Sequence, residues 1–504
     1  MRGGGTDGPR RRRVVRATVA ASCLLVAASI PFDLVPWLRG PAPYPPEWQW
    51  AFRSGGPDRP LVAAALVAFL LLGLLGASGT GRARRRPEAA SRLLVVGAVL
   101  LGWTFQIALL VREPGSPLLT LLSRTRSRSF TSYHAVAVSD DARDPLRFLR
   151  RHADLLPAQA RSARHAATHP PGPVLFYRAA IAACGASPSL TEALLQAAGV
   201  PEREFPPPDT RPARAAALLG ALVLGLLGAA TAWPVFRLAE ALGAARLPAA
   251  RLSVLWALLP GPALMTPQID QALALPVAAA TALLARAAIE SRPRRSAFLA
   301  ALAGLLGGVS VFTSYGAAAF LAIGGVAALS AAAGRPAPTG TNAWRRPAML
   351  ALGATAVSAA LACGGPALLG HEPLRAAATA LSIHRGVYTE PRSYPLWLAF
   401  NPLDLAVFLG LPIAFTALLR LGAPPAGEPA RLRRFRTSLG VGVGLLFLLG
   451  VTRGEVGRIW IPLMPLLLVA ALAGGEDEPD RSEAVFHGLL LAVLTLAIGA
   501  YWDV

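Results

Sequence analysis

The order of apolar and polar positions in this chain repeats one motif: an apolar run of about twenty residues, then a short linker carrying arginine. A run of that length spans the hydrocarbon of a bilayer as a helix, because only a helix satisfies its own backbone groups there. The runs predict about thirteen transmembrane helices, near 14–36, 61–79, 93–111, 213–235, 250–266, 271–289, 296–312, 317–333, 347–369, 401–420, 438–451, 457–473 and 484–500. The predicted fold is therefore an all-α polytopic membrane protein.

Arginine-rich linkers mark the side that faces the cytoplasm. They fall at 10–16, 82–92, 292–295, 335–346 and 431–436. Threading the helices between these marks puts the N-terminus inside and requires that 173–200 does not cross. Residues from about 112 to 212 then form one large external loop with its own surface helices. One of these is signalled by Asp144-Pro145, an N-cap acid with proline at the first helical position. Leu146, Leu149, Ala153 and Leu156 share one face of it, and Arg147, Arg150, Arg151 and Asp154 point elsewhere. That pattern fits a helix lying at the membrane surface and equally one packed on the protein's own loops. The chain divides into an N-terminal anchor with two extra spans (1–92), a core containing the external loop (93–290), and a C-terminal set of helices with a second external loop at 370–400.

Composition changes little in this picture: 54% of the residues are hydrophobic and 15% charged, which excludes an ordinary soluble enzyme. The net charge of +21 is carried by arginine scattered among linkers, so no nucleic-acid partner is expected. Cys23, Cys184 and Cys363 have neither disulfide nor zinc spacing. Arg10 to Arg13 precede an apolar stretch without a small-residue cleavage site, which reads as a retained anchor.

Candidate chemistry lies in the loops expected outside. Six of the seven histidines fall there: His134, His152, His165, His169, His371 and His384. Asp140 and Asp141 stand in the first loop, followed by His169-Pro170-Pro171-Gly172-Pro173, in which consecutive prolines fix the direction of the histidine. A second polar group runs from His371 to Arg392 and a third from Arg453 to Arg458. Asp270 and Asp404 sit at the edges of their helices, where an acid is costly, and either also suits a helix cap. The proline-rich loop 41–60 suggests no catalytic role, and Trp37, Trp48 and Trp50 suit interface anchors.

An external acidic pair, about thirty residues, a His-Pro-Pro element opening a surface helix, and then an alanine- and leucine-rich span beginning near Arg214 resemble the GT-C glycosyltransferases. The nearest patterns are those of the protein O-mannosyltransferases and the lipid A aminoarabinose transferase. The resemblance covers roughly 93–290 and includes Leu258-Leu259-Pro260 and Asp270; it departs where Gly172-Pro173 stands in place of Leu-Gly-Lys. It implies an enzyme of the cell-envelope membrane that moves a sugar from a polyprenyl-phosphate carrier to a glycan, lipid or protein acceptor, with the site facing outward. Such a reaction needs one carboxylate base and cations for the departing phosphate, not the two carboxylates of glycoside hydrolysis. Asp140 or Asp141, with His169, is the expected catalytic set. Arg458 is the preferred phosphate ligand, with Arg453, Arg385 and His384 beside it, and Tyr388 and Asp270 are expected at the substrate. No cofactor is firmly indicated, although a divalent metal has precedent in the family. A transporter or lipid-carrier flippase is the competing reading, and it would call for internal repeats and mid-membrane polar residues, of which Gln106 is one of few.

Overall fold

The computed structural model describes residues 7–112, 115–128, 130–200, 209–332, 345–425, 428–474 and 480–504. Most of the arginine mark at 335–346 and part of the external segment, 201–208, lie outside them. The described chain is helical almost throughout. Its β-structure is a two-residue antiparallel pairing of Ala51–Phe52 with Trp502–Asp503.

Among the described residues, seven helices are long and apolar enough to cross a membrane: Arg13–Phe32, Pro87–Leu109, Arg211–Ala241, Ile269–Ile289, Pro293–Thr313, Arg345–Leu368 and Arg481–Tyr501. Tyr394–Leu409 and Leu411–Gly422 form an eighth candidate bent by 116°. Shorter apolar helices, among them Val62–Ala77, Ala317–Ala332 and Ile461–Leu472, occupy other places where spans are expected. The chain is thus an all-α membrane protein with seven or eight full-length candidate spans. The expected straight span at 401–420 is replaced by a corner, because Gly410 takes φ +87°, a conformation L side chains disfavour, and Pro412 starts the next helix.

Local rules set the helix starts. Asp480 accepts from the Glu483 N–H at 2.7 Å, and proline occupies the first turn at Pro87 and Pro293. Small residues let helices approach closely: a methyl group added at Gly228 would fall 2.5 Å from the Gln271 side chain. One apolar cluster joins Val19 and Leu71 to Trp256, Phe408 and Leu491. Val19 and Leu71 of the first two apolar helices thus pack with the C-terminal helices, and Arg16 pairs with Glu483 across them.

The segment 112–212 folds into short helices, Pro117–Arg126, Pro145–Ser162, Gly172–Ala186 and Pro188–Ala198. Asp144 caps Pro145–Ser162, accepting from Leu146 N at 2.9 Å and Arg147 N at 3.1 Å. Its apolar stripe packs on protein: Ala153 and Leu156 are buried against Ala376 and Ala380 of the helix Pro373–His384. Arg375 pairs with Asp154 at 2.7 Å along the same seam. Of the two environments the pattern allowed, this helix has the protein one.

Candidate functional site

A cavity of about 1070 Å³ opens where the 41–60 loop, the 112–212 segment, the 387–392 stretch and the 455–458 turn converge. None of the arginines in 82–92, 292–295 or 431–436 lines it. Those arginines contact their own linkers and neighbours instead, as Arg431 does with the Ala241 carbonyl and Arg295 with Glu290.

A broken helix supplies one wall. The helix Arg246–Leu258 stops at Leu259, Pro260 opens the one-turn helix Pro260–Leu264, and Met265 and Gln268 of the irregular stretch after it face the cavity before helix resumes at Ile269. The freed polar groups are met internally. Gln271 donates to the Pro262 carbonyl at 2.5 Å, and Thr266 bonds to Gln106 and Gln271, each at 3.2 Å. Gln106 therefore braces the break.

A second wall is the turn 452–458, held from the helix Tyr394–Leu409. Asn401 donates to the Thr452 carbonyl at 2.7 Å and accepts from the Gly454 N–H at 3.1 Å. Asp404 accepts from the Gly457 N–H at 2.9 Å and from Trp50 Nε1 at 3.0 Å. Asp404 is neither at a helix edge nor the cap of its own helix; it satisfies an orphan donor at the start of Val456–Ile459. Glu47 performs the same service for the 41–60 loop, accepting from Trp397 Nε1 at 2.6 Å and Ser393 N at 2.9 Å. The 41–60 loop is thereby docked as cavity wall. Trp48 and Trp50 line the cavity.

Held in this way, the turn presents a buried charge cluster. Arg458 pairs with Glu455 at 2.7 Å and stands 3.8 Å from Asp270, and Arg392 lies 3.7 Å from Glu455. Asp270 is 8% exposed, and Gln268, not Asp270, occupies the N-cap position of its helix. Arg458 Nε is buried and has no hydrogen-bond partner among the described residues. Burial pushes the Glu455 carboxyl toward protonation, but Arg458 and Arg392 outweigh it and hold its pKa below the ordinary carboxylate value.

The expected site residues divide into two sets. Around the cluster stand Arg458, Asp270, Tyr388, His384 and His169. Tyr388 lines the cavity, with the His384 ring at 5.5 Å and the His165 ring stacked at 6.2 Å. His169 packs edge-on against Tyr133 at 5.3 Å. Its Nδ1 lies 2.8 Å from the His165 carbonyl, which can only accept, so Nδ1 carries the proton and Nε2 a lone pair. Burial, with the charges of His165, Arg458 and His384, pushes its pKa down to about 3, so the ring is neutral at physiological pH.

The other set lies apart. Asp140 and Asp141 occupy an exposed 3-10 turn, Asp140 paired with Arg143 at 3.0 Å, and neither lines the cavity. Arg385 is exposed and pairs with Glu390 at 2.8 Å. Arg453 spends its donors on the backbone carbonyls of Thr389, Arg392 and Gly450, at 2.9, 2.6 and 3.2 Å, and so ties two loops together. Glu455, Arg392 and Tyr133 belong to the cluster without having been singled out. A strict Arg/Glu spacing of three in Glu455-Val456-Gly457-Arg458 was the signal available for Glu455; Tyr133 had none.

Among the described residues, no group of three or more His, Cys, Asp and Glu is placed to hold a metal ion. Compared with known proteins, the chain matches no family model, no curated protein sequence and no solved structure.

Proposed function

We propose that this chain is a membrane glycosyltransferase that moves a sugar from a polyprenyl-phosphate carrier to an acceptor on the extracytoplasmic side of the plasma membrane. In this reading the seven or eight long spans and the shorter apolar helices together make the thirteen crossings of a GT-C-like protein, with the N-terminus in the cytoplasm.

The observation that carries the proposal is that Arg458, which lines an arginine-rich cavity, has the buried carboxylate of Asp270 3.8 Å behind it. Transfer of a glycosyl group from phosphate requires a base for the acceptor hydroxyl and a cation for the leaving oxygen, both close to the same carbon. Asp270 supplies the base. It is buried, and among the described residues its one ion pair is the long one to Arg458, so its oxygens remain available. Glu455 is a poorer base because two arginines neutralise it. The acceptor oxygen attacks the anomeric carbon, its proton passes to Asp270, and the carbon–oxygen bond to phosphate breaks. The phosphate departs toward Arg458, whose unpartnered Nε and planar fork of donors suit it. The base is thus assigned to Asp270 in place of Asp140 or Asp141, which stand in solvent away from the cavity.

The test is release of polyprenyl phosphate. The purified chain in nanodiscs is supplied with a panel of undecaprenyl- and decaprenyl-phosphate sugars and a membrane extract as acceptor source. Turnover by the wild type and its loss in Asp270→Asn and Arg458→Gln are the expected results. Equal turnover in the wild type and both variants would refute the assignment.

A further inference from the structure

The cavity holds more positive charge than one carrier phosphate needs. Seven arginines line it against two acidic side chains, Glu455 and Asp503, an excess of five (7 − 2). A glycosyl phosphodiester brings one negative charge. Part of the excess is already engaged: Arg392 and Arg458 with Glu455, and Arg53 with Asp503 at 3.7 Å. Arg128, Arg161 and Arg164 are different. All three are exposed at the cavity wall, and none makes a side-chain hydrogen bond or ion pair with a described residue.

The trio is also set apart from the reacting pair. Arg161 and Arg164 flank the end of the helix Pro145–Ser162, on a different element from Arg458. Tyr388 lines the same cavity as Arg458 and Arg164. Three like charges facing one concave space repel one another, and an anion entering that space relieves the repulsion while meeting three planar donor forks. The planar guanidinium fork suits phosphate or carboxylate.

We propose that Arg128, Arg161 and Arg164 form a second anion site, for a phosphate or carboxylate borne by the acceptor, so that the acceptor is an anionic glycan or glycolipid. The anion binding stands by itself; the assignment to an acceptor rests on the transferase reading.

The experiment uses the full chain with Arg458→Gln, which silences the carrier end, in phosphatidylcholine nanodiscs. Mannose 1-phosphate and the neutral methyl mannoside are titrated as probes by calorimetry. The sugar phosphate is expected to bind and the neutral sugar not to. Adding Arg161→Gln and Arg164→Gln should weaken binding by about tenfold or more, as loss of two charge-assisted contacts implies. The matching Arg→Lys pair, which keeps the charge, should restore part of it. An affinity unchanged by the glutamine pair overturns the proposal. So does abolition of binding by phosphatidylglycerol in the disc, which would assign the trio to lipid headgroups. Both variants alter exposed side chains, and an unaltered melting temperature verifies their folding. Binding that follows these expectations while no donor is turned over by the wild type would fail the transferase reading alone; turnover without this binding would fail the present inference alone.

Discussion

Asp404 accepts a hydrogen bond from the Gly457 N–H at 2.9 Å, and this contact sets where Arg458, one residue further on, presents its guanidinium. The same carboxylate takes the Trp50 indole N–H at 3.0 Å, so one buried acid joins the 41–60 loop, the helix Tyr394–Leu409 and the charge cluster. Removing it strands two buried donors. Asp404→Ala is expected to lower stability by about 2–4 kcal/mol, since each unsatisfied buried donor costs roughly 1–3 kcal/mol. Asp404→Asn, which keeps one acceptor oxygen, should lose less. Thermal unfolding in detergent measures both, and amide exchange should rise at 452–459 in the alanine variant. An unchanged melting temperature there would show that the turn is held by other means.

The carboxylates divide by environment. Asp270→Asn is expected to reduce sugar transfer by about 10²–10⁴-fold, the usual range for a lost general base. Asp140→Asn and Asp141→Asn should leave transfer within about twofold, because an exposed ion pair such as Asp140–Arg143 contributes little. The reverse ranking would return the base to the first acidic pair.

Two arginines five residues apart should fail in different ways. Arg458→Gln removes the cation beside Asp270 and is expected to cut transfer by about 10²–10³-fold. Arg453→Gln leaves three backbone carbonyls without their donor and should act on stability, by about 1–3 kcal/mol, with kcat kept at temperatures where the protein is folded. Paired melting curves and rates distinguish the two roles.

Stability should fall as the solution is acidified from neutrality. His134 and His152 are buried and His169 is half-buried, with pKa pushed down to about 4, 3 and 3, chiefly by desolvation. Above the unfolded value, near pH 6.5, neither state is protonated and they have no effect. Between that value and the folded one, the unfolded chain binds protons that the folded chain refuses, so stability drops with a slope of up to about 1.4 kcal/mol per pH unit for each ring. His152 shows the cause most plainly: it is 1% exposed, its Nδ1 has no partner among the described residues, and His371 lies 5.5 Å away. His152→Gln should flatten the dependence of melting temperature on pH between about 6.5 and 4. A slope identical to the wild type would mean that this ring titrates normally.

The helices were legible because lipid leaves the backbone one way to satisfy itself, so twenty apolar residues announce a helix whatever surrounds them. The corner at Gly410 was not, since an average over a window of residues carries no angle. Among polar residues, the preference for Arg458 came from a local argument, its position at the start of a helix, and it lies in the cluster. Asp140 and Asp141 attracted notice as an adjacent pair, yet adjacency says nothing about whether a turn faces a cavity or water. Arg453 looked equivalent to Arg458, and only the three carbonyls converging on it from two loops set it apart.

What the residues alone determined is the solvent: composition and periodicity place this chain in a membrane as a set of helices, because hydropathy is a property of each segment by itself. Which polar groups meet was decided by tertiary packing, because the partners are remote in the chain and no local rule couples them. Trp50 and Asp404 touch across 354 positions, and Asp270 faces Arg458 only because a proline-broken helix and a braced turn end at the same cavity.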